Sequence, residues 1–249
     1  MSACGEFGGV GVGPGEQGLI PVVAWEFVKR CDVIFVPRAR SMRHSVARQC
    51  LPENDIPNER FREVEFTMDS DRNVLREHYA KLAEDIATEL KAGKNVAYLT
   101  IGDPLTYSTY IYTLAALKDT MKELRYRTYP GVTSYCALAA ATDFPLGESK
   151  ERVLVLPCPE AMQDLRAAIR ANDLVVLMKI GERLPKVLRV LKEMGIDIHC
   201  AFGKHVGMSD QLIYKGVQDF KADESLGYLS TMLIRKTPAQ KRHVGGPQL

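Results

Sequence analysis

The 249-residue chain is poor in the patterns that mark the commoner kinds of site. Its six cysteines (Cys4, Cys31, Cys50, Cys136, Cys158 and Cys200) are scattered, with no C-x-x-C pair and no Cys/His cluster at metal-ligand spacing. Neither a zinc site nor a disulfide framework is expected, and the setting reads as a reducing cytoplasm. No apolar run reaches membrane-spanning length, and no basic region followed by a long apolar stretch opens the chain. The expectation is no membrane span and no signal peptide. An excess of one charge is also missing: 33 Lys and Arg against 31 Asp and Glu leave +2, which makes no global case for nucleic acid. The hydrophobic fraction of 46% and charged fraction of 26% are ordinary for a globular protein. The length suits one large domain or two small ones with real cores.

What stands out is Gly9-Val10-Gly11-Val12-Gly13-Pro14-Gly15. Glycine weakens strands and helices and proline removes a donor, so the run predicts neither a strand interior nor a helix. It predicts a sharp turn, or backbone lying against something that leaves no room for a Cβ. The dinucleotide fingerprint fails in both registers: its sixth position is Pro14 read from Gly9 and Glu16 read from Gly11. No Gly-Lys-Ser/Thr ending follows. The loop therefore serves a ligand other than these phosphates, or is a plain turn.

Strand-like and helix-like segments alternate along the chain, which predicts an α/β fold. Residues 22–30 read as a helix with Pro21 at its first turn, 32–36 as a buried strand, 73–92 as a helix stopped by Gly93, and 96–101 as a second buried strand. Residues 108–124 read as a helix and 125–129 as a strand. Helix 132–141, strand 152–156, helix 161–171, strand 173–179 and helix 184–194 follow, then strand candidates 196–202, 211–214 and 228–235. Two α/β domains are expected, residues 1–127 and 128–236 with a more antiparallel end, packed with the site in the cleft between them and followed by a mobile tail over 237–249. Three breaks follow strands: Gly13-Pro14-Gly15, Gly102-Asp103-Pro104, and Pro130-Gly131-Val132-Thr133-Ser134. In α/β proteins ligands bind at the carboxyl ends of strands, so the three loops are expected to converge.

These residues resemble a known family. Gly9 to Gly15 with Ala24 and Asp32-Val-Ile-Phe-Val-Pro37, then Leu99-Thr-Ile-Gly-Asp-Pro-Leu-Thr-Tyr-Ser-Thr109, then Tyr129-Pro-Gly-Val-Thr-Ser134, are similar to three successive segments of the tetrapyrrole methyltransferases. Val175 to Lys179 and Lys204 to Met208 look like two later segments. Tyr107-Ser108-Thr109 and Ser45-Val46-Ala47-Arg48 look most like the branch that acts on carbon 20 of precorrin-2, including its cobalt-substrate relatives. Glu16-Gln17 stands where the family has Asp-Pro, and Pro21 where it has threonine.

The resemblance implies the tetrapyrrole methylase fold and methyl transfer from S-adenosylmethionine to a macrocycle carbon. It implies that Pro14, Ile101, Gly102, Asp103, Thr106, Thr133, Ser134, Met178 and Gly207 contact the cofactor. It implies a tetrapyrrole substrate contacted by Tyr107, Ser108, Thr109 and Ser45, no protein-bound metal, and a homodimer. A compact sulfonium cofactor explains glycine loops without a phosphate cradle. Asp103 either meets its positive charge or caps the following helix.

The substrate side rests on a second pattern. Arg38, Arg40, Arg43, His44 and Arg48 fall in a stretch with no acid between Asp32 and Glu53. Arginine suits carboxylates, which precorrin-type macrocycles carry in number. The plainer reading is a solvated basic face. Nucleic-acid binding would need interleaved aromatics, which the stretch lacks. Cys136 and Cys158 have no neighbouring base, so covalent catalysis is not expected. Two other readings stay open: a sister enzyme methylating another ring position, and a non-catalytic module that holds a nucleotide or tetrapyrrole.

Overall fold

The computed structural model describes residues 4–40, 44–53, 56–66, 72–220 and 224–236. The expected mobile tail and Arg43 lie outside them. The chain divides into two compact units, residues 1–134 and 135–249.

The first unit is a five-stranded, all-parallel sheet in the order β3-β2-β4-β1-β5. Its strands are β1 (Phe7–Gly11), β2 (Val33–Ala39), β3 (Phe61–Phe66), β4 (Val96–Thr100) and β5 (Tyr126–Tyr129). Helices α1 (Val22–Arg30), α2 (Val46–Gln49), α3 (Arg72–Lys91) and α4 (Tyr110–Thr120) connect them. From neighbouring positions, β1 connects onward to β2 on one side and β4 to β5 on the other. That reversal is the topological switch point at which such sheets bind ligands.

The glycine run corrects the expectation drawn from it. Strand β1 includes Gly8, Gly9 and Gly11, all buried. A Cβ on Gly8 would enter the Phe27 ring of α1, and one on Gly9 would enter the Tyr110 ring of α4. Adjacent strand residues face opposite sides, so α1 and α4 pack on opposite faces, each lowering an aromatic ring onto bare backbone. The strand tolerates glycine because β4 and β5 pair with it on both edges and the rings supply the missing apolar volume.

Two further differences follow from pairing. Strand β3 lies between the strand and helix expected at 32–36 and 73–92, where no element was expected. Its sequence, Phe-Arg-Glu-Val-Glu-Phe, has too few apolar residues to announce a strand, but it pairs with β2 from Ile34↔Phe61 to Ala39↔Phe66. The unit boundary falls at residue 134, not 127, because β5 hydrogen-bonds to β1 and so belongs to the first sheet. Helix α4 is shorter than the expected 108–124, since Ser108 and Thr109 are occupied in the preceding loop.

The second unit holds a mixed sheet in the order β6-β7-β10-β8-β9. Its strands are β6 (Val153–Pro157), β7 (Leu174–Met178), β8 (Cys200–Lys204), β9 (Leu212–Lys215) and β10 (Ser230–Arg235). Only β6 and β7 run parallel; β10 is antiparallel to β7 and β8, and β9 to β8. Helices α5 (Ser134–Thr142), α6 (Met162–Ala171) and α7 (Leu184–Glu193) complete it. Leu165, Ile169, Val187 and Leu191 pack on one face of the sheet with Val175, Leu177, Phe202, Met232 and Ile234. Leu138 packs with Leu174, Val176, Ala201 and Leu233, the residues of alternate parity. Strand β8 begins at Cys200, four residues later than expected, because Ile196 and Asp197 close the turn after α7.

Candidate functional site

At the switch point the loops after β1, β4 and β5 meet with their backbones in direct contact. The Gly102 N–H donates to the Gly13 carbonyl at 2.7 Å, an isolated antiparallel bridge between two loops. A Cβ on Gly11 would lie 2.5 Å from the Gly102 oxygen and 2.7 Å from the Gly131 Cα. A Cβ on Gly131 would lie 2.8 Å from the Gly11 carbonyl carbon. Gly13 and Gly102 take φ of +84° and +69°, which favour glycine. The expected convergence is therefore observed, and it demands glycine at each point of approach.

The polar side chains of the β4 loop hold this arrangement. Asp103 Oδ1 accepts from the Leu105 N–H at 2.9 Å and the Thr106 hydroxyl at 3.1 Å; Oδ2 accepts from the Gly131 N–H at 3.2 Å. Both carboxylate oxygens thus tie the β4 loop to itself and to the β5 loop. This is a turn-and-tether role, wider than the helix cap considered from sequence. Ser108 Oγ shares a 2.8 Å bond with Thr100 and accepts from the Tyr110 N–H at 3.1 Å. Thr109 bonds the Tyr98 hydroxyl at 2.9 Å, and burial pushes that phenol up, so it stays protonated. Ser108 and Thr109, expected to contact substrate, here turn their hydroxyls inward, on β4 and its helix. Tyr107 differs, being exposed with a left-handed φ of 55°, a conformation that costs a non-glycine residue energy. Pro14 is buried beside the bridge, Ile101 and Thr106 are half-buried, Thr133 is buried, and Ser134 opens α5.

The basic stretch is divided by strand β3, which sequence reasoning missed. Arg38 sits between Glu63 at 3.0 Å and Glu65 at 2.8 Å, and Arg40 lies 3.7 Å from Glu65. The pairing register places Arg38 opposite Glu65. The expected substrate ligands Arg38 and Arg40 thus lie beside strand acids; the alternation of Glu63 and Glu65 was the signal available for that pairing. Ser45, fully buried, donates its hydroxyl to the Pro37 carbonyl at 2.7 Å, tying the start of α2 back to β2. Arg48 stacks on Phe61, 4.0 Å from the ring centroid, and bonds Asn58.

In the second unit, Met178 ends β7, and its carbonyl accepts from the Cys158 N–H at 2.7 Å. Gly207 takes φ +84° in a loop whose N–H donates to Gln211 Oε1 at 3.1 Å. The loop is braced by His205 Nδ1 and Asp210 Oδ2, 2.7 Å apart, which holds the Asp210 carboxyl below its ordinary range. Sequence reading did not single out Asp210 or Gln211. Among the described residues no cysteine forms a disulfide. Burial pushes Cys50 and Cys200 up to about 12 and Cys31 and Cys158 upward too, so none of these four is a poised thiolate.

A parallel doubly wound sheet with glycine loops packed at its switch point, followed by a mixed-sheet unit, defines a ligand-binding α/β protein without a phosphate motif. Residues 6–219 match the tetrapyrrole (corrin/porphyrin) methylases, and the chain belongs to that family. A Methanocaldococcus jannaschii protein named as a probable cobalt-precorrin-2 C(20)-methyltransferase is 31% identical over 229 residues, 92% of this chain and 95% of that one. The cobalt-precorrin-2 C(20)-methyltransferase of Salmonella typhimurium is 26% identical, over 93% and 97%. Among solved structures, a cobalt precorrin-4 methyltransferase shares the fold with a TM-score of 0.68 and 19% identity, over 94% of this chain and 96% of that one. A Thermus thermophilus uroporphyrin-III C-methyltransferase complexed with S-adenosylhomocysteine gives 0.60 and 15%, over 93% and 97%.

Proposed function

We propose that the protein transfers a methyl group from S-adenosylmethionine to carbon 20 of precorrin-2 or of its cobalt-containing counterpart, cobalt-factor II, in cobalamin biosynthesis. The observation that carries the reading is the backbone junction of Gly11, Gly102 and Gly131 at the switch point, in a chain of this family whose relatives bear the names given above. The junction fits a compact cofactor approached by main chain: no side chain can intrude at its glycines, and no phosphate motif competes for the loops.

In this reading Pro14, Ile101, Gly102, Asp103, Thr106, Thr133 and Ser134 form the cofactor wall of the first unit. Asp103 acts through the loops it tethers, since its oxygens already accept three bonds. The cofactor supplies an activated methyl on a sulfonium. The chain's task is to hold that methyl in line with the nucleophilic carbon and to exclude water. Rigid loops suit that task, because in-line transfer loses rate steeply with misplacement. Tyr107, exposed in a strained conformation at the β4 loop, is proposed to contact the macrocycle. A homodimer in the cytoplasm completes the proposal; light scattering reads the first.

The test is turnover with metal-free and cobalt-loaded macrocycle side by side, using methyl-labelled cofactor. One added methyl mass, and an NMR signal for that carbon on C20, is expected. No added mass on either macrocycle would sink the reading, and label at another ring position would reassign the enzyme within its family.

A further inference from the structure

Arg48 differs from its basic neighbours. Arg38 and Arg40 face strand acids, whereas Arg48 has no ion-pair partner among the described residues. Its guanidinium lies over the Phe61 ring and gives an N–H to Asn58. The stack and the bond fix the plane of the fork and leave the remaining N–H groups unspent. Two cavities share Arg48 and Gln49 in their walls. One, of about 480 Å³, adds Gln17, Leu51, Ile56 and Phe61. The other, of about 300 Å³, adds His44 and Glu63. The Gln17 amide donates to the Gln49 carbonyl at 3.4 Å, joining the loop after β1 to α2.

An oriented guanidinium beside apolar Leu51 and Ile56 matches a carboxylate on a short hydrocarbon arm. The fork takes the charge bidentately while the methylenes cover the apolar wall. We infer that Arg48 is a carboxylate anchor flanking α2, and that the arm belongs to a polycarboxylate macrocycle. The source of the arm rests on the methyltransferase reading; the anchor itself needs only a carboxylate. Two acids border the cavities. Glu63 is held by Arg38. Glu53 is exposed on the wall of the larger cavity. Their charge disfavours a phosphate dianion more than a singly charged carboxylate.

The experiment follows the Arg48 side-chain Nε–H signal in ¹⁵N-labelled protein, assigned by its loss in Arg48→Lys. Butyrate, cobalt-factor II and inorganic phosphate are added separately at matched ionic strength. Butyrate and the macrocycle are expected to move the signal, and phosphate to leave it in place. Arg48→Met is expected to weaken both ligands by about tenfold or more, the scale of a lost charge-assisted contact. Arg48→Lys should fall between, and Glu53→Gln should tighten both. Unchanged thermal midpoint and S-adenosylmethionine affinity in Arg48→Met confirm that the variant is folded. A still signal with both carboxylates, or wild-type affinities in Arg48→Met, overturns the anchor and leaves the methyltransferase reading standing. A signal moved by butyrate in a protein that binds no macrocycle keeps the anchor and removes that reading. A signal moved equally by phosphate overturns the carboxylate assignment.

Discussion

A methyl group at residue 131 would meet the Gly102 carbonyl oxygen and the Gly11 backbone, neither of which yields as a flexible side chain does. Gly131→Ala is therefore expected to cost about 1–3 kcal/mol through overpacking and to weaken S-adenosylmethionine binding by displacing the β4 loop. Gly18 makes the contrast. Its φ is +94°, yet nothing lies within 4 Å of its Cβ position. Gly18→Ala should cost about 1 kcal/mol for backbone strain alone and leave cofactor affinity unchanged. Urea unfolding and calorimetry of the two variants check the pair, and equal affinity losses would contradict it. Asp103 is judged by graded replacement. Asp103→Asn keeps one acceptor oxygen and Asp103→Ala keeps none, so the cofactor dissociation constant should rise in that order.

At the scale of elements, the glycine-proline breaks were legible because turns and close approaches demand particular residue types. Where those breaks lead was less legible. Nothing local shows that the Asp103 carboxylate reaches the Gly131 N–H, 28 positions on, or that Arg38 has Glu65 across the strand pair. Strand β1 was misjudged because glycine's weakness in a strand is a local cost, here offset by rings from two helices. Strand β10 carries a pairing of the same nonlocal kind. Its buried Arg235 donates to Glu151 at 2.7 Å and to the Pro145 carbonyl at 2.7 Å, clamping the segment before β6. The Arg235 hydrogen bond holds the Glu151 carboxyl below its ordinary value. The folded state thus binds that proton less readily than the unfolded chain. The contribution is complete above the ordinary carboxylate value of about 4.3 and drains away as pH falls through the lower folded value. Urea midpoints of wild type and Glu151→Gln should differ most near neutrality and converge toward pH 3; a gap that widened in acid would refute the assignment.

At the scale of the molecule, each unit has its own sheet and its own buried cluster. Hydrogen exchange should therefore show two separate sets of slow amides, one in β1, β2 and β4 and one in β7, β8 and β10, the strands with neighbours on both edges. Thiol labelling reads burial another way. Cys136 is exposed while Cys31, Cys50, Cys158 and Cys200 are buried, so Cys136 should react first with a thiol reagent and those four only on unfolding. Two α/β units were legible from the alternation of elements, but the divide between them was not, since only pairing assigns β5 to the first sheet.

Strand β1 bears on how such a chain can change over generations. Gly9 and Tyr110 occupy one volume between them, as do Gly8 and Phe27, and the Tyr110 hydroxyl is further bound to Thr128 at 2.7 Å. A side chain can arrive on the strand only after the ring has shrunk, and the ring can shrink alone only by opening a void. Both single steps run downhill in fitness, so the strand and its two helices are locked into inheriting their residues as matched sets.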